Sequence, residues 1–490
     1  MSILPSLDIP IGGQWRQGQG DFYESLYPAN GSVGSCLHTA SVADVEEAVA
    51  SADSAWRMRG WYDAPAKRAQ VLHRIAQLIR EEAEQLAQLQ RIDNGKPISE
   101  THALVASSAA TFQYFGALAE AHQDHLPASR GTYLTLAQSE PLGVVAAITP
   151  WNSPIASEAQ KIAPALAAGN AVVLKPAECT PRMALALADI AQRAGLPAGL
   201  LSVVPGRGSV LGNALVEQAA VKKVCFTGST EVGRRLAIQT GQRLISSSLE
   251  LGGKSATIVR QDAVLDQAVN GIMFGIFSSS GESCIAGSRL FVHASLYEQL
   301  LSRLVAKTKL LRVADPALEN TQMGPLIHMQ HRAQVARMVQ QALDDGGELL
   351  CGGEAPVGAE FDAGSYYLPT IISGLDNNSR LCQEEVFGPV LAVLPYDDEE
   401  QLIDQANHSV YGLAAGIWSR DHQASLKLAE RLQVGTVWIN TYKQFCISAP
   451  FSGWGDSGLG FEKGVDSLMQ YRRRKTVFLG LTSDPISWAD

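Results

Sequence analysis

Hydrophobic and polar positions change rhythm twice along the 490-residue chain. After a glycine-rich entry (Gly12-Gly13, Gly18-Gln19-Gly20), Ser41-Val42-Ala43-Asp44 has capping-box spacing and opens a run of Ala, Val and Glu that reads as a helix. From Arg68 to Leu89 apolar residues recur at Val71, Leu72, Ile75, Leu78, Ile79, Leu86 and Leu89, the spacing of one buried helical face. The first third is therefore expected to be mostly helical. From about Gly143 the texture becomes short apolar runs, at 144–148, 171–174, 201–204 and 224–226, separated by helix-like stretches such as 183–194. Short apolar strands bounded by Gly and Pro and alternating with helices predict a parallel sheet covered on both faces. A second alternation begins near Ser255–Val259 and continues through 300–311, 387–394 and 435–440. Two α/β domains are the simplest account. No repeat, low-complexity tract or Pro/Ser linker separates them, so the crossing between them is expected to be tight.

Length agrees, because a single core stops growing near about 250–300 residues. Hydrophobic residues make up 46% of the chain and charged residues 18%, a balance that can bury large cores and excludes disorder. Against 49 Asp and Glu stand 39 Lys and Arg, a net charge of −10. That balance lacks the basic face that nucleic acid or an anionic membrane requires. The densest basic run, Arg472-Arg473-Arg474-Lys475, reads as a solvated or subunit-contacting strand. Met1–Trp15 has no cationic start followed by an apolar run, so no secretory signal is read. No stretch approaches the ~20 apolar residues of a membrane span. The seven cysteines, Cys36, Cys179, Cys225, Cys284, Cys351, Cys382 and Cys446, show neither C-x-x-C nor Cys/His metal spacing. A reducing, cytoplasmic setting and no metal site are expected.

Four segments carry chemistry. Phe226-Thr-Gly-Ser-Thr-Glu-Val-Gly233 lies between a strand and a helix, where free backbone N–H groups and a positive helix end suit a phosphate; a packing turn would look the same. Cys284, among small residues in Gly281-Glu-Ser-Cys-Ile-Ala-Gly287, is either an inert buried thiol or a nucleophile. Glu250 beside Gly252-Gly253 is either a solvated or salt-bridged strand end or a general base acting on water. Asn152 in Pro150-Trp-Asn-Ser-Pro154 is either a turn former or an amide donor to a developing oxyanion.

Together, and in this order, Pro150-Trp-Asn-Ser-Pro154, Lys175-Pro-Ala-Glu178, Phe226-Thr-Gly-Ser-Thr230, Glu250-Leu-Gly-Gly-Lys254, Gly281-Glu-Ser-Cys284, Glu384-Glu-Val-Phe-Gly-Pro389 and Pro450-Phe-Ser-Gly453 resemble the aldehyde dehydrogenase superfamily, from about Ile11 to Leu481. The resemblance implies two Rossmann-like α/β domains with parallel sheets plus a small β arm. Residues 1–121 and 142–252 would bind NAD, 253–450 would form the catalytic domain, and 122–141 with 470–490 the oligomerisation arm. It further implies that the Cys284 thiolate attacks an aldehyde, that Asn152 and the Cys284 N–H hold the oxyanion, and that Glu250 activates water to hydrolyse the thioester. Lys161 matches a lysine that supports proton movement, with a surface salt bridge as the plainer reading.

For the cofactor, Lys175 and Glu178 match the pair at the adenosine ribose, and Glu385 and Phe387 the pair at the nicotinamide ribose and ring. Gly228 and Ser229 match the pyrophosphate turn, Trp151 the nicotinamide side, and Ile148, Gly208, Gly212, Phe226, Val232 and Leu251 the rest of the cleft. A carboxylate such as Glu178 accepts ribose hydroxyls and repels a 2′-phosphate, so NAD is expected ahead of NADP.

The departures bear on substrate. Ser153, Ser157 and Gln160 stand where the family often has bulkier tunnel walls, while Phe445 and Phe451 remain aromatic. Ser283 and Ile285 flank the thiol, and Lys443 is expected toward the mouth. A bulky or polar aldehyde follows, such as a semialdehyde, a hydroxyaldehyde or an aromatic aldehyde. A quaternary ammonium aldehyde is disfavoured, on the expectation that cation-holding aromatic faces are depleted and Lys443 repels. Gly455 and Phe461 replace two charges common at a subunit surface, and a homodimer or homotetramer is expected. Two competing readings are an acyl-transferring relative using coenzyme A or phosphate, against which Glu250 argues, and a catalytically silent NAD-binding homologue.

Overall fold

The computed structural model describes residues 7–483; residues 1–6 of the expected NAD-binding span and 484–490 of the expected arm lie outside the described residues. The helix Val42–Arg57 starts with the reciprocal cap read from the sequence. Asp44 N–H donates to Ser41 Oγ at 3.1 Å, and Ser41 N–H donates to Asp44 Oδ2 at 2.8 Å. The stripe from Arg68 to Leu89 differs from the expectation. It is shared by two helices, Pro65–Glu81 and Ala83–Asn94, broken at Glu82. No Pro or Gly marks the break. Glu82 is gripped by both arms of the Arg193 guanidinium, at 2.6 and 3.0 Å, a contact across 111 residues that periodicity cannot reveal. The glycine-rich entry forms two antiparallel pairs, Ile9–Ile11 with Gln14–Arg16 and Phe22–Leu26 with Val33–His38.

Two sheets dominate the molecule. The first runs Gly458–Leu459, Ser246–Glu250, Val221–Thr227, Val144–Ile148, Ala171–Lys175, Leu201–Val203, all parallel except the antiparallel edge at 458–459. Every residue of Val144–Ile148 and Ala171–Lys175 is buried, because helices cover both faces. Chain order reverses beside Val144–Ile148, and at such a switch point the loops after the strands diverge and leave a crevice. The second sheet runs Glu348–Cys351, Thr370–Ser373, Val390–Tyr396, Arg289–His293, Ala256–Val259, Ala414–Trp418, Thr436–Ile439, parallel apart from its first strand. The chain passes from one sheet to the other across 251–255. Separate apolar clusters pack on the two faces of the second sheet.

Tyr133–Pro141 and Arg472–Gly480 form an antiparallel ribbon, in register from Pro141↔Arg472 to Tyr133↔Gly480. The basic run is thus a strand, with Arg473 and Lys475 facing Glu140. All seven cysteines are free. Among the described residues no helix is long and apolar enough to cross a membrane.

Candidate active site

The first sheet delivers residues at the carboxyl ends of its strands: Thr149 to Asn152 after Val144–Ile148, Lys175 at the end of Ala171–Lys175, Gly228 and Ser229 after Val221–Thr227, and Glu250 closing Ser246–Glu250. The second sheet faces them with the segments that precede its strands, Cys284 before Arg289–His293 and Glu385 with Phe387 before Val390–Tyr396. A pocket of about 270 Å³ between these edges is lined by Asn152, Gly228, Ser229, Leu251, Cys284, Glu385 and Phe387, among others.

Cys284 is set by a strained loop. Ser279, Ser280 and Gly281 have φ of 58°, 53° and 72°, left-handed values that cost a non-glycine residue about 1 kcal/mol or more. Glu100 holds this loop by accepting from Ser279 N–H at 2.7 Å and from its hydroxyl at 3.1 Å, while Ser280 Oγ donates to Gly324 O at 2.9 Å. At Gly281 a Cβ would lie 2.2 Å from the Gly388 backbone, so only glycine closes the turn. Asn152 Nδ2 donates to Glu282 O at 3.0 Å, which keeps its amide beside the thiol loop. Burial pushes the Cys284 thiol up to about 12, the Glu385 and Glu250 carboxylates add to this, and Lys443 opposes it.

Glu250 is not the solvated strand end of the plainer reading. It is 4% exposed, and neither carboxylate oxygen has a hydrogen-bond partner among the described residues. Burial holds its proton well above the usual carboxylate range, Glu462 adds to this, and Lys161 and Lys463 oppose it. Lys161 likewise is no surface pair. It is fully buried, donates to Thr227 Oγ1 at 2.6 Å and is ion-paired with Glu462. Glu462 and Lys463 are brought here by the edge strand Gly458–Leu459, whose Gly458 pairs with Glu250 itself. Both escaped the sequence reading; the only hint was Phe461, where an arginine usual in the family is missing.

A second cleft, of about 650 Å³, runs along the first sheet and is lined by Ile148, Trp151, Lys175, Gly208, Gly212, Phe226, Gly228, Ser229 and Val232, as predicted, together with Arg235 and Gln239, which were not. Ser229 caps the helix Thr230–Gln242, whose free N–H groups face the cleft. Burial lowers the Lys175 ammonium to about 8 while Glu178 supports it. Glu178 is half-buried beside Lys175 but does not line the cleft. Glu385 accepts from Gly253 N–H at 3.1 Å, and burial raises it to about 7. Phe387, at φ 54°, stands edge-on to Trp151 with centroids 5.2 Å apart. His331 braces both rings and is hydrogen-bonded to Phe387 O at 2.8 Å, a role with no sequence signal beyond its helix.

On the other side of Cys284, the helix Pro154–Ala167 buries every residue except Ser157 and Gln160, which with Ser153 form one partly exposed stripe at i, i+4, i+7. Ser283 is half-buried, and Ile285 is buried against Leu413 and Trp438 with Cys284 and Phe451 alongside. Lys443 donates to Ser278 Oγ at 2.7 Å. The expectation of depleted aromatic faces is corrected here. Trp438, Phe445 and Phe451 meet edge-on at centroid separations of 5.8 and 5.6 Å, and the Lys463 ammonium already sits 3.6 Å from the Phe445 centroid.

The sequence profile of the aldehyde dehydrogenase family matches residues 15–477. The chain is 40% identical to phenylacetaldehyde dehydrogenase from Pseudomonas fluorescens and 38% identical to betaine aldehyde dehydrogenase from Brucella melitensis, covering 98% of both partners in each case. The NAD+ complex of aldehyde dehydrogenase from Bacillus cereus superposes with a TM-score of 0.94 at 35% identity, over 97% of this chain and 96% of that one. With its ordered motifs, its paired parallel sheets and a match over nearly its whole length, the chain belongs to the aldehyde dehydrogenase family.

Proposed function

We propose that this protein oxidises an aldehyde to a carboxylic acid with NAD and releases the acid by hydrolysis. The observation that carries the hydrolytic reading is Glu250: a buried carboxyl with no hydrogen-bond partner among the described residues, at a strand end near Cys284, leaves its lone pairs for a water. Cys284 supplies the thiolate that adds to the aldehyde carbon, forming the C–S bond and an oxyanion held by Asn152 Nδ2 and the Cys284 N–H. The residues of the long cleft fit a dinucleotide. A helix N-terminus and Gly228, where a Cβ would lie 2.4 Å from the Phe226 ring, make room for a pyrophosphate, with Lys175 at one ribose, the charge of Glu178 acting behind it, and Glu385 at the other. NAD, when bound, accepts the hydride that leaves the former carbonyl carbon. Glu250 then takes a proton from water as its oxygen attacks the thioester, the C–S bond breaks, and Cys284 returns as a thiol. Lys161 and Glu462, joined behind Glu250, give that proton a path onward.

The polar stripe of Ser153, Ser157 and Gln160 supports a bulky or polar aldehyde. Glu178 favours NAD over NADP. The outward face of Arg472–Gly480, with Phe478 at 66% exposure, supports a homodimer or homotetramer built on the ribbon, because exposed strands of this kind need covering. The deciding measurement is absorbance at 340 nm with a panel of aldehydes and either cofactor. NADH is expected from NAD with no acceleration by coenzyme A or phosphate; acceleration by either acceptor would replace hydrolysis with acyl transfer.

A further inference from the structure

We propose that Lys463, with Lys443, forms an anion seat in the substrate tunnel, so that the preferred aldehyde carries a carboxylate at its far end. This rests on the reading of Cys284 as the attacking thiol. Lys463 is 9% exposed, and its ammonium makes no ion pair or hydrogen bond among the described residues. It lies over two aromatic rings, with centroids of Phe445 at 3.6 Å and Phe451 at 5.2 Å. Its backbone, at φ 59° and ψ 178°, lies in a region almost reserved for glycine, so a strained main chain holds this side chain inward.

The local charges do not cancel. Glu462 is taken by Lys161, and Lys96 lies 4.0 Å from Glu100. Glu250 is driven toward its neutral form by burial. Lys443, lowered by burial, supported by Glu100 and opposed by Lys96, spends one donor on Ser278. Two ammonium groups therefore lie around the thiol, both lowered to about 8 by burial, and Lys463 feels Glu462 and Glu250 without forming an ion pair with either among the described residues. A buried, unpaired cation is costly, and a ligand carboxylate relieves it. The same ammonium fills the aromatic faces that a quaternary ammonium substrate would use, so a cationic aldehyde meets both a filled site and a like charge.

The test compares butanal, 4-oxobutanoate and betaine aldehyde in the wild type and in Lys463→Met, Lys463→Arg and Lys463→Glu. The wild type is expected to favour 4-oxobutanoate in kcat/KM, with a KM that rises with ionic strength. Lys463→Met should raise that KM about tenfold or more and cut the preference for 4-oxobutanoate over butanal in kcat/KM by a similar factor; Lys463→Arg should restore most of it, and Lys463→Glu should improve betaine aldehyde. Calorimetry without cofactor gives a second readout, glutarate binding the wild type and failing to bind Lys463→Met. Equal losses for butanal and 4-oxobutanoate, or a shifted pH profile with both, would make Lys463 a tuner of Glu250 and overturn the seat. No NADH from any aldehyde would remove the dehydrogenase reading, whereas NADH from butanal without glutarate binding would remove the seat alone.

Discussion

Cys284 and Glu250 share an electrostatic condition: burial holds a proton on both beyond its ordinary range, and the Glu250 carboxylate adds to the thiol's reluctance to ionise. Both must lose that proton to work, so kcat/KM is expected to climb with pH from about 6 to 9, and a bell centred near pH 6 would contradict the assignment. The two residues are separable by variants. Cys284→Ala should abolish NADH formation altogether. Glu250→Gln should leave a single-turnover burst and slow the steady state about 10²–10⁴-fold, which stopped-flow absorbance resolves. Types and local spacing made Cys284, Glu250 and Asn152 visible in the sequence. Glu462 and Lys463 were not, because they reach Glu250 from more than two hundred positions away along the chain, through one antiparallel edge contact.

The helix Pro154–Ala167 shows how one segment serves core and site together. Its hydrophobic face packs under the first sheet, Ser157 and Gln160 form its partly exposed stripe, and Lys161 turns inward to Glu462. The same helix carries Glu158, fully buried with both oxygens unpartnered among the described residues. Burial, aided by Asp93, holds its proton well above the ordinary 4.5. The unfolded chain ionises there first, so the stability this group permits is complete below pH 4.5 and is lost as pH rises toward the folded value. Glu158→Gln is therefore expected to raise Tm more at pH 8 than at pH 5; an equal gain at both would place the ionised form in the fold. Apolar period foretold the buried stripe from Arg68 to Leu89. It missed the break at Glu82, because the stripe of a two-helix seam keeps its spacing when a distant arginine, not a local residue, sets the bend.

The carboxyl ends of the first sheet's strands face the loops that enter the second, and between them lies the pocket lined by Asn152, Cys284 and Glu385. The ribbon of Tyr133–Pro141 and Arg472–Gly480 leaves Val477, Phe478 and Leu479 exposed in a single chain. In the proposed oligomer, Phe478→Asp with Leu479→Asp should lower the mass read by light scattering to that of a smaller assembly; an unchanged mass would put the subunit contact elsewhere. Alternating short apolar runs and helices were enough to fix an α/β fold with two sheets, since burial on both faces demands uninterrupted hydrophobic strands. The ordered motifs, through the family resemblance, likewise marked Cys284, Glu250 and the glycine turn as candidates, because such chemistry resides in side chains and local backbone. Folding alone decided which charges are paired. Lys161 meets Glu462 while Lys463 lies on aromatic rings, and Glu250 and Glu158 have no hydrogen-bond partner among the described residues. Pairing and desolvation depend on distances between segments far apart in the chain, and those distances exist only once the sheets, the edge strand and the loop around Cys284 are in place.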